Sequence, residues 1–168
     1  MNLKLSIPFI LGLTIALASP SPAAKPAPKA QCPIDRATYS AIGKPEFELQ
    51  FSPIENSKYA TELVAFTFQH RDRGMLATYH LGGSMGYGSY YLRDLAKPIE
   101  DDADGKLKPV FFDTNWRSVK VDDQGTAPEY LFISGLGVTD WYGDRTGNRN
   151  QPVGEVMWQL SGCRPQPH

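Results

Sequence analysis

The stretch VAFTFQH-RDRG-MLATYHL, residues 64–81, holds two runs in which apolar and polar side chains alternate with a period of two. Such alternation is typical of β-strands that bury one face and expose the other. Gly74 ends the four-residue segment between the runs and can adopt the positive φ that a short hairpin turn needs. The stretch therefore predicts a β-hairpin, and with it a sheet built from antiparallel neighbours.

The same period continues on both sides of this hairpin. It predicts further strands over residues 46–51, 89–95, 108–113, 116–121, 130–134 and 154–160. Trp116 and Trp158 lie inside such runs and are expected in the core or on a sheet face. A helical period is not sustained over three turns anywhere, and the best candidate for one short helix is Asp35 to Ala41, with Asp35 as its N-cap. The fold class is therefore all-β: a single antiparallel β-sandwich or small β-barrel with at most one short helix.

Two cysteines, Cys32 and Cys163, bracket almost all of these predicted strands. In an exported chain two cysteines are expected to pair, although an intermolecular bridge or two free thiols are alternatives. An intramolecular bond requires their Cα atoms to lie within about 7 Å. We therefore expect the first and last strands of the domain to be neighbours.

The sequence before Cys32 predicts a targeting segment followed by a linker. Residues 1–18 join Lys4 to an uncharged apolar run and resemble a signal peptide, with an uncleaved anchor as the alternative. Residues 19–31 form a linker rich in proline and alanine. Residues 32–163 are then a single β domain, and 164–168 a C-terminal tail. This organisation predicts a secreted or periplasmic protein without stable membrane insertion after signal cleavage.

The charges are nearly balanced, which restricts the classes of partner. The chain has 17 lysines and arginines against 18 aspartates and glutamates, a formal net charge of −1. No stripe of basic residues runs through it, and this argues against a nucleic-acid partner.

Two segments combine aromatic side chains with glycine and polar residues. One is a polar loop that opens at Asp140, and the other a glycine-rich loop over residues 82–91. The candidate ligand-binding residues are Trp141, Tyr142, Asp144, Arg145, Asn148, Tyr87 and Tyr90. Aromatic faces beside carboxylate, amide and guanidinium groups suit stacking on a sugar or docking on a protein. We expect a binding surface if the two loops meet at one end of the sheet; alternatively, Trp141 folds back over the core.

A serine motif offers a catalytic alternative. Residues 82–86, GGSMG, fit G-x-S-x-G, and with the YYLRDL that follows they resemble the nucleophile elbow of an α/β-hydrolase lipase. The resemblance would make Ser84 a nucleophile. An elbow needs a strand-to-helix setting and a later histidine, but the neighbouring strands are closely spaced and the only later histidine is His168, beyond Cys163. We expect Ser84 to cap a glycine-rich turn instead.

Two further constellations could hold a metal ion. His70 and His80 flank the predicted hairpin turn and could lie on adjacent strands. Asp101, Asp102 and Asp104 precede Gly105 and partly resemble a calcium loop, but an EF-hand fails because Phe111 stands where its bidentate glutamate is required. The more ordinary interpretations are solvated histidines and a charged hairpin tip. No cofactor is therefore expected, with calcium as the one alternative.

These observations favour a non-catalytic binding or interaction domain outside the cytoplasm. Its ligand would be a small molecule, a glycan or a protein. The alternatives are a structural protein of the cell envelope and a serine hydrolase that uses Ser84.

Overall fold

A computed structural model describes residues 31–55, 57, 59–84, 88–97, 107–143 and 152–165. This part of the chain forms nine β-strands, one short α-helix and one 3-10 turn, Ile34–Arg36. The strands are β1 (Ala37–Ala41), β2 (Lys44–Ser52), β3 (Glu62–His70), β4 (Gly74–Gly83), β5 (Tyr90–Asp94), β6 (Lys108–Phe112), β7 (Ser118–Val119), β8 (Tyr130–Ser134) and β9 (Met157–Cys163); the helix, α1, is Leu136–Gly143.

All nine strands belong to one antiparallel sheet. Its order is β5-β4-β3-β2-β1-β9-β8-β6-β7. The sheet curls, so that β5 returns to the start of β6, where the amide N–H of Leu92 donates to the carbonyl oxygen of Leu107 across 3.3 Å. The all-β antiparallel fold expected from the sequence is confirmed.

The hairpin that decided the fold forms as predicted. Phe66 of β3 pairs with Tyr79 of β4, and Gly74 has a φ of 73° in the turn. A register shift beside Phe68 breaks the regular alternation near the turn. As a result Met75, which the alternation places on the same face as Tyr79, is 69% exposed.

The concave side of the sheet is filled mainly by aromatic rings. Its largest fully buried members include Trp158, Tyr39, Phe47, Phe51, Phe66, Phe68 and Phe111. Phe68 meets Trp158 edge-on, with ring centroids 6.0 Å apart. The prediction that Trp158 is a core residue is confirmed. Aromatic pairs of this kind add about 0.5–1.5 kcal/mol beyond the area that they bury.

Tyr39 brings a hydroxyl group into this core. Its oxygen donates to the carbonyl oxygen of Pro128 across 2.7 Å, so the buried polar group has a partner. Burial, aided by the Glu129 carboxylate, raises the pKa of Tyr39 far above its ordinary value. The phenol therefore stays neutral and keeps this hydrogen bond.

The prediction of a short helix over Asp35 to Ala41 is wrong. Only the 3-10 turn forms there, and β1 begins at Ala37. Ala37, Tyr39 and Ala41 face the core while Thr38 and Ser40 are half-buried, a two-residue period. Because β1 pairs with β2 on one side and β9 on the other, strand pairing overrides the local preference for a helical turn.

The cysteines form the expected intramolecular disulfide. The Cα atoms of Cys32 and Cys163 are 5.6 Å apart, and Cys163 lies opposite Ala37 in the β1–β9 ladder. The first and last strands are therefore neighbours, as predicted. The predicted signal peptide and all of the linker but Gln31 lie outside the described residues. Within the residues that the structure covers, no helix combines the length and apolar character that a membrane span requires.

Candidate functional site

Helix α1 is held rigidly against the segment that leads into β9. Asp140 is 4% exposed, and its Oδ2 accepts the N–H of Val153 across 2.8 Å. Gly137 packs so closely that an added Cβ would lie 2.1 Å from the carbonyl carbon of Gly154. The carboxylate of Glu155 accepts the N–H of Val138 at the first turn, where helices have unpaired donors. These contacts fix the helix and the direction of its outer face.

That outer face is apolar and open to solvent. Val138, Trp141 and Tyr142 are 54%, 62% and 61% exposed. Their spacing of i, i+3 and i+4 puts them on one side of the helix. We call these three residues the α1 face. Trp141 and Tyr142 were predicted in a loop, yet they lie on a helix, and Trp141 does not fold back over the core.

The second predicted aromatic segment lies elsewhere. Tyr90 is half-buried: its ring meets Phe111 edge-on at 5.6 Å, and its hydroxyl donates to the carbonyl oxygen of Val121 across 3.0 Å. The helix instead follows Ser134, which pairs with Lys108 at the other end of β6. Among the described residues, the ring and hydroxyl contacts of Tyr90 are therefore with Phe111 and Val121 and not with the α1 face. Four other candidates lie outside the described residues: Tyr87, Asp144, Arg145 and Asn148.

Ser84 does not have the setting of a nucleophile elbow. It follows β4 and leads into β5, so the connection joins two antiparallel strands instead of a strand and a helix. Its N–H donates to the carbonyl oxygen of Ser89 across 2.8 Å, which closes a turn. Ser84 and Tyr90 line an open cleft of about 250 Å³.

The two histidines of the hairpin are not neighbours. His70 pairs with Gly74 beside the turn, whereas His80 pairs with Ala65 farther along the ladder. The His70 ring is 8% exposed and meets Phe47 edge-on. Among the described residues, no three histidine, cysteine or carboxylate groups are arranged to hold a metal ion. The calcium candidates Asp101, Asp102 and Asp104 lie outside this part of the chain.

His80 belongs instead to an ion network on the convex side of the sheet. The Glu62 side chain, 1% exposed, accepts from Nε of Arg93 across 2.8 Å and from the Ser57 hydroxyl across 2.8 Å. Nδ1 of His80 lies 3.1 Å from Oε1 of Glu62. Desolvation raises the pKa of Glu62, but the hydrogen bonds from Arg93, Ser57 and His80 outweigh it, so that the pKa falls below its ordinary value. Glu62 is therefore an ionised and partnered carboxylate.

The sequence pattern predicted Trp116 in the core or on a sheet face, and this prediction is wrong. It is 57% exposed, not buried, and has a φ of 62°. For a residue with a Cβ that conformation costs roughly 1–2 kcal/mol. Asp113 holds it in place: its Oδ1 accepts the N–H groups of Asn115 and Arg117 across 2.8 and 3.0 Å. These bonds and the Arg117 guanidinium lower the pKa of Asp113.

The indole that this turn presents is stacked on Tyr130. Its ring lies 4.3 Å from that of Tyr130, with 9° between the planes. The stack fixes the orientation of the indole, and the exposed area leaves the rest of it to solvent.

A cleft of about 410 Å³ is lined by residues near this turn in the sequence, but neither Trp116 nor Tyr130 belongs to its lining. Thr114 lines it two residues before Trp116, and Glu129 lines it next to Tyr130. Its wall is apolar at Val119, Pro128 and Leu160, together with Cys32. The polar lining also includes Lys120, Asp113 and Thr126. The sequence signal for the exposed position of Trp116 is the Asp113-Thr-Asn turn directly before it, which is typical of a loop and not of a strand.

Comparisons of the chain with protein-family models, with curated proteins and with solved structures find no match.

Proposed function

We propose that this chain is an exported, non-catalytic binding domain and that the α1 face docks onto a partner protein. The observation that carries the proposal is the exposure of Val138, Trp141 and Tyr142 on one side of an anchored helix. Aromatic side chains are enriched at the centres of protein interfaces, and contiguous exposed apolar groups mark such sites.

The rigidity of α1 supports binding over a purely structural role. Asp140 and Gly137 fix the helix on its inner side, so that ordering the outer side chains costs little on association. Two aromatic side chains supply large contact areas with few rotatable bonds.

The shape of the surface favours a protein partner over a small ligand. Small-molecule sites are concave and bury most of their ligand. The α1 face is the outer side of a helix, and such a face fits an apolar groove on another protein. The disulfide agrees with a protein that works outside the reducing cytoplasm.

The test places a photo-crosslinking amino acid, benzoylphenylalanine, at position 142 of the full chain in its native cells. The matched control places it at Met75, which is also apolar and 69% exposed. We expect a light-dependent product with one partner protein from position 142 and not from position 75.

The partner is then purified and its affinity measured. Trp141→Ala should weaken binding at least about tenfold, or about 1.4 kcal/mol, whereas Met75→Ala should leave it unchanged. Equal crosslinking from both positions, or wild-type affinity of the Trp141→Ala variant, would refute the proposal.

A further inference from the structure

The exposed indole of Trp116 has no part in the proposed docking of the α1 face, and the linker of this chain joins the domain nearby. The linker is rich in proline, and Pro26 and Pro28 lie five and three positions before Gln31. Proline-rich segments dock onto exposed aromatic side chains in several classes of recognition domain. We propose that segment 26–28 of the linker packs on the Trp116 indole of the same chain.

The direction in which the linker leaves the domain carries this proposal. Pro33 forms an antiparallel bridge with Thr126. The N–H of Ala127 donates to the carbonyl oxygen of Cys32 across 2.7 Å, which continues the same pairing. In an antiparallel pair, the chain traced backward from Pro33 runs beside the chain traced forward from Thr126. The linker therefore leads toward Tyr130, whose ring stacks on the indole.

The sheet then directs the linker to its convex side. Tyr130 pairs with Phe112 on one side and with Gln159 on the other, so both edges of β8 are already occupied at this position. The next residue, Leu131, is fully buried in the core. Because neighbouring side chains of a strand point to opposite faces, the Tyr130 ring lies on the convex side, together with Trp116. The linker can therefore continue only over the side that carries the indole.

The length of the linker permits the contact. Gln31 lines the cleft of about 410 Å³ together with Thr114. Thr114 is two positions before Trp116, so their Cα atoms are at most about 7.6 Å apart. At about 3.1 Å per residue, an extended proline-rich chain carries Pro28 about 9 Å and Pro26 about 16 Å from Gln31. Segment 26–28 therefore reaches the indole without any movement of the domain.

The contact costs little conformational freedom on either side. The Tyr130 stack, with 9° between the ring planes, fixes the indole, while 57% of Trp116 remains exposed. Proline has a fixed φ, so a proline-rich segment loses little freedom when it binds. Because the linker is joined to the domain at Gln31, its effective concentration at the indole is of millimolar order. Even a weak contact between proline and indole is then populated.

The first test observes the contact by nuclear magnetic resonance on the full chain. The nuclear Overhauser spectrum should contain cross-peaks between the ring protons of Trp116 and the side-chain protons of Pro26 or Pro28. Trp141 is the internal control because its indole is 62% exposed, and it should show no cross-peak to these prolines. Absence of the Trp116 cross-peaks, or equal cross-peaks at Trp141, overturns the proposal.

Two linker variants separate this contact from a general effect of the linker. Pro26→Ser with Pro28→Ser should shift the indole N–H signal of Trp116. The matched control, Pro20→Ser with Pro22→Ser, changes two prolines farther from the domain and should leave that signal in place. Equal shifts in the two variants would contradict a contact specific to segment 26–28.

Trp116→Gly tests the same contact from the side of the domain. Glycine adopts a φ of 62° without strain, so the fold should be kept. The side-chain signals of Pro26 and Pro28 should shift in this variant, and unchanged signals would show that the linker does not touch the indole.

A mixture of chains with two different isotope labels identifies which chain supplies the linker. Cross-peaks between Trp116 of one chain and the prolines of the other would assign the contact to a second copy and overturn the intramolecular proposal. All of these measurements use the chain alone, so a failure to find a partner protein for the α1 face would leave their results unaffected.

Discussion

The disulfide gives the prediction whose magnitude follows most directly from the structure. Cys32 and Cys163 are separated by 131 positions, and their bond closes nearly the whole domain into a loop. In the chain-entropy model a loop of that length stabilises the fold by about 5 kcal/mol, because it restricts the unfolded state. Domains of this size are stable by roughly 5–15 kcal/mol, so removal of the bond should take away a third or more of the total.

The perturbation is the double variant Cys32→Ala with Cys163→Ser, compared with the oxidised wild type. Alanine suits position 32 because that side chain is buried, and serine suits position 163, which is exposed. At about 2.1 cal/mol/K of unfolding entropy per residue, 5 kcal/mol corresponds to a fall of about 15–20 °C in melting temperature. Thermal melts and urea titrations followed by circular dichroism measure both quantities.

The same reasoning predicts that the native sheet still forms without the disulfide. The β1–β9 ladder pairs Ala37 through Ala41 with β9 without the sulfur atoms, so the folded spectrum should not change. Reducing agent should destabilise the wild type to the level of the double variant and leave that variant unaffected. A loss below about 1 kcal/mol would refute the unfolded-state argument.

Two further predictions concern buried contacts. Glu62→Gln should lower the unfolding free energy by about 2 kcal/mol, since it weakens charge-assisted hydrogen bonds. Because the pKa of Glu62 is lowered from 4.5, its contribution is present above that pH and is lost as the pH falls through the folded-state pKa. Urea titrations should therefore show a larger loss of stability on acidification for the wild type than for the variant. Gly137→Ala should cost about 1–3 kcal/mol, because its Cβ would meet the Gly154 backbone. Val138→Ala, on the exposed side of the same helix, should change the unfolding free energy by less than about 0.5 kcal/mol.

The sequence was most informative where local pattern and tertiary environment agree. The β3–β4 hairpin has a strict period of two, a turn glycine and buried partners on one face. The two cysteines predicted that the terminal strands are neighbours because a disulfide allows only a short Cα separation. β1 was missed because its inward residues, Ala37, Tyr39 and Ala41, include two alanines, which carry no strong strand preference.

The residues of helix α1 do not by themselves predict a helix. It has eight residues and begins beside Gly135 and Gly137, and glycine disfavours helices. Its stability comes from distant contacts, namely Gly137 against Gly154 and Asp140 with Val153. Isolated helices of this length are unstable in water, so only tertiary packing makes this one form.

The positions of the candidate binding residues also depend on tertiary contacts that the sequence pattern does not show. Trp141 was selected from the sequence because polar residues surround it, and its exposure agrees with that selection. Trp116 was assigned to a strand because Ser118 and Lys120 continue an apparent alternation. The bonds that Asp113 makes to the turn take Trp116 out of that pattern and place its ring on Tyr130.

Both exposed tryptophans therefore depend on a carboxylate that binds backbone N–H groups. Asp140 anchors α1 through Val153, and Asp113 shapes the turn before β7 through Arg117. In each case the carboxylate is used to position the chain, and the aromatic side chain next to it is turned outward. A chain that needed only stability would gain more from burying these rings, since each would remove a large apolar area from water. Their exposure on anchored segments is the physical basis of the proposal that this domain binds a partner.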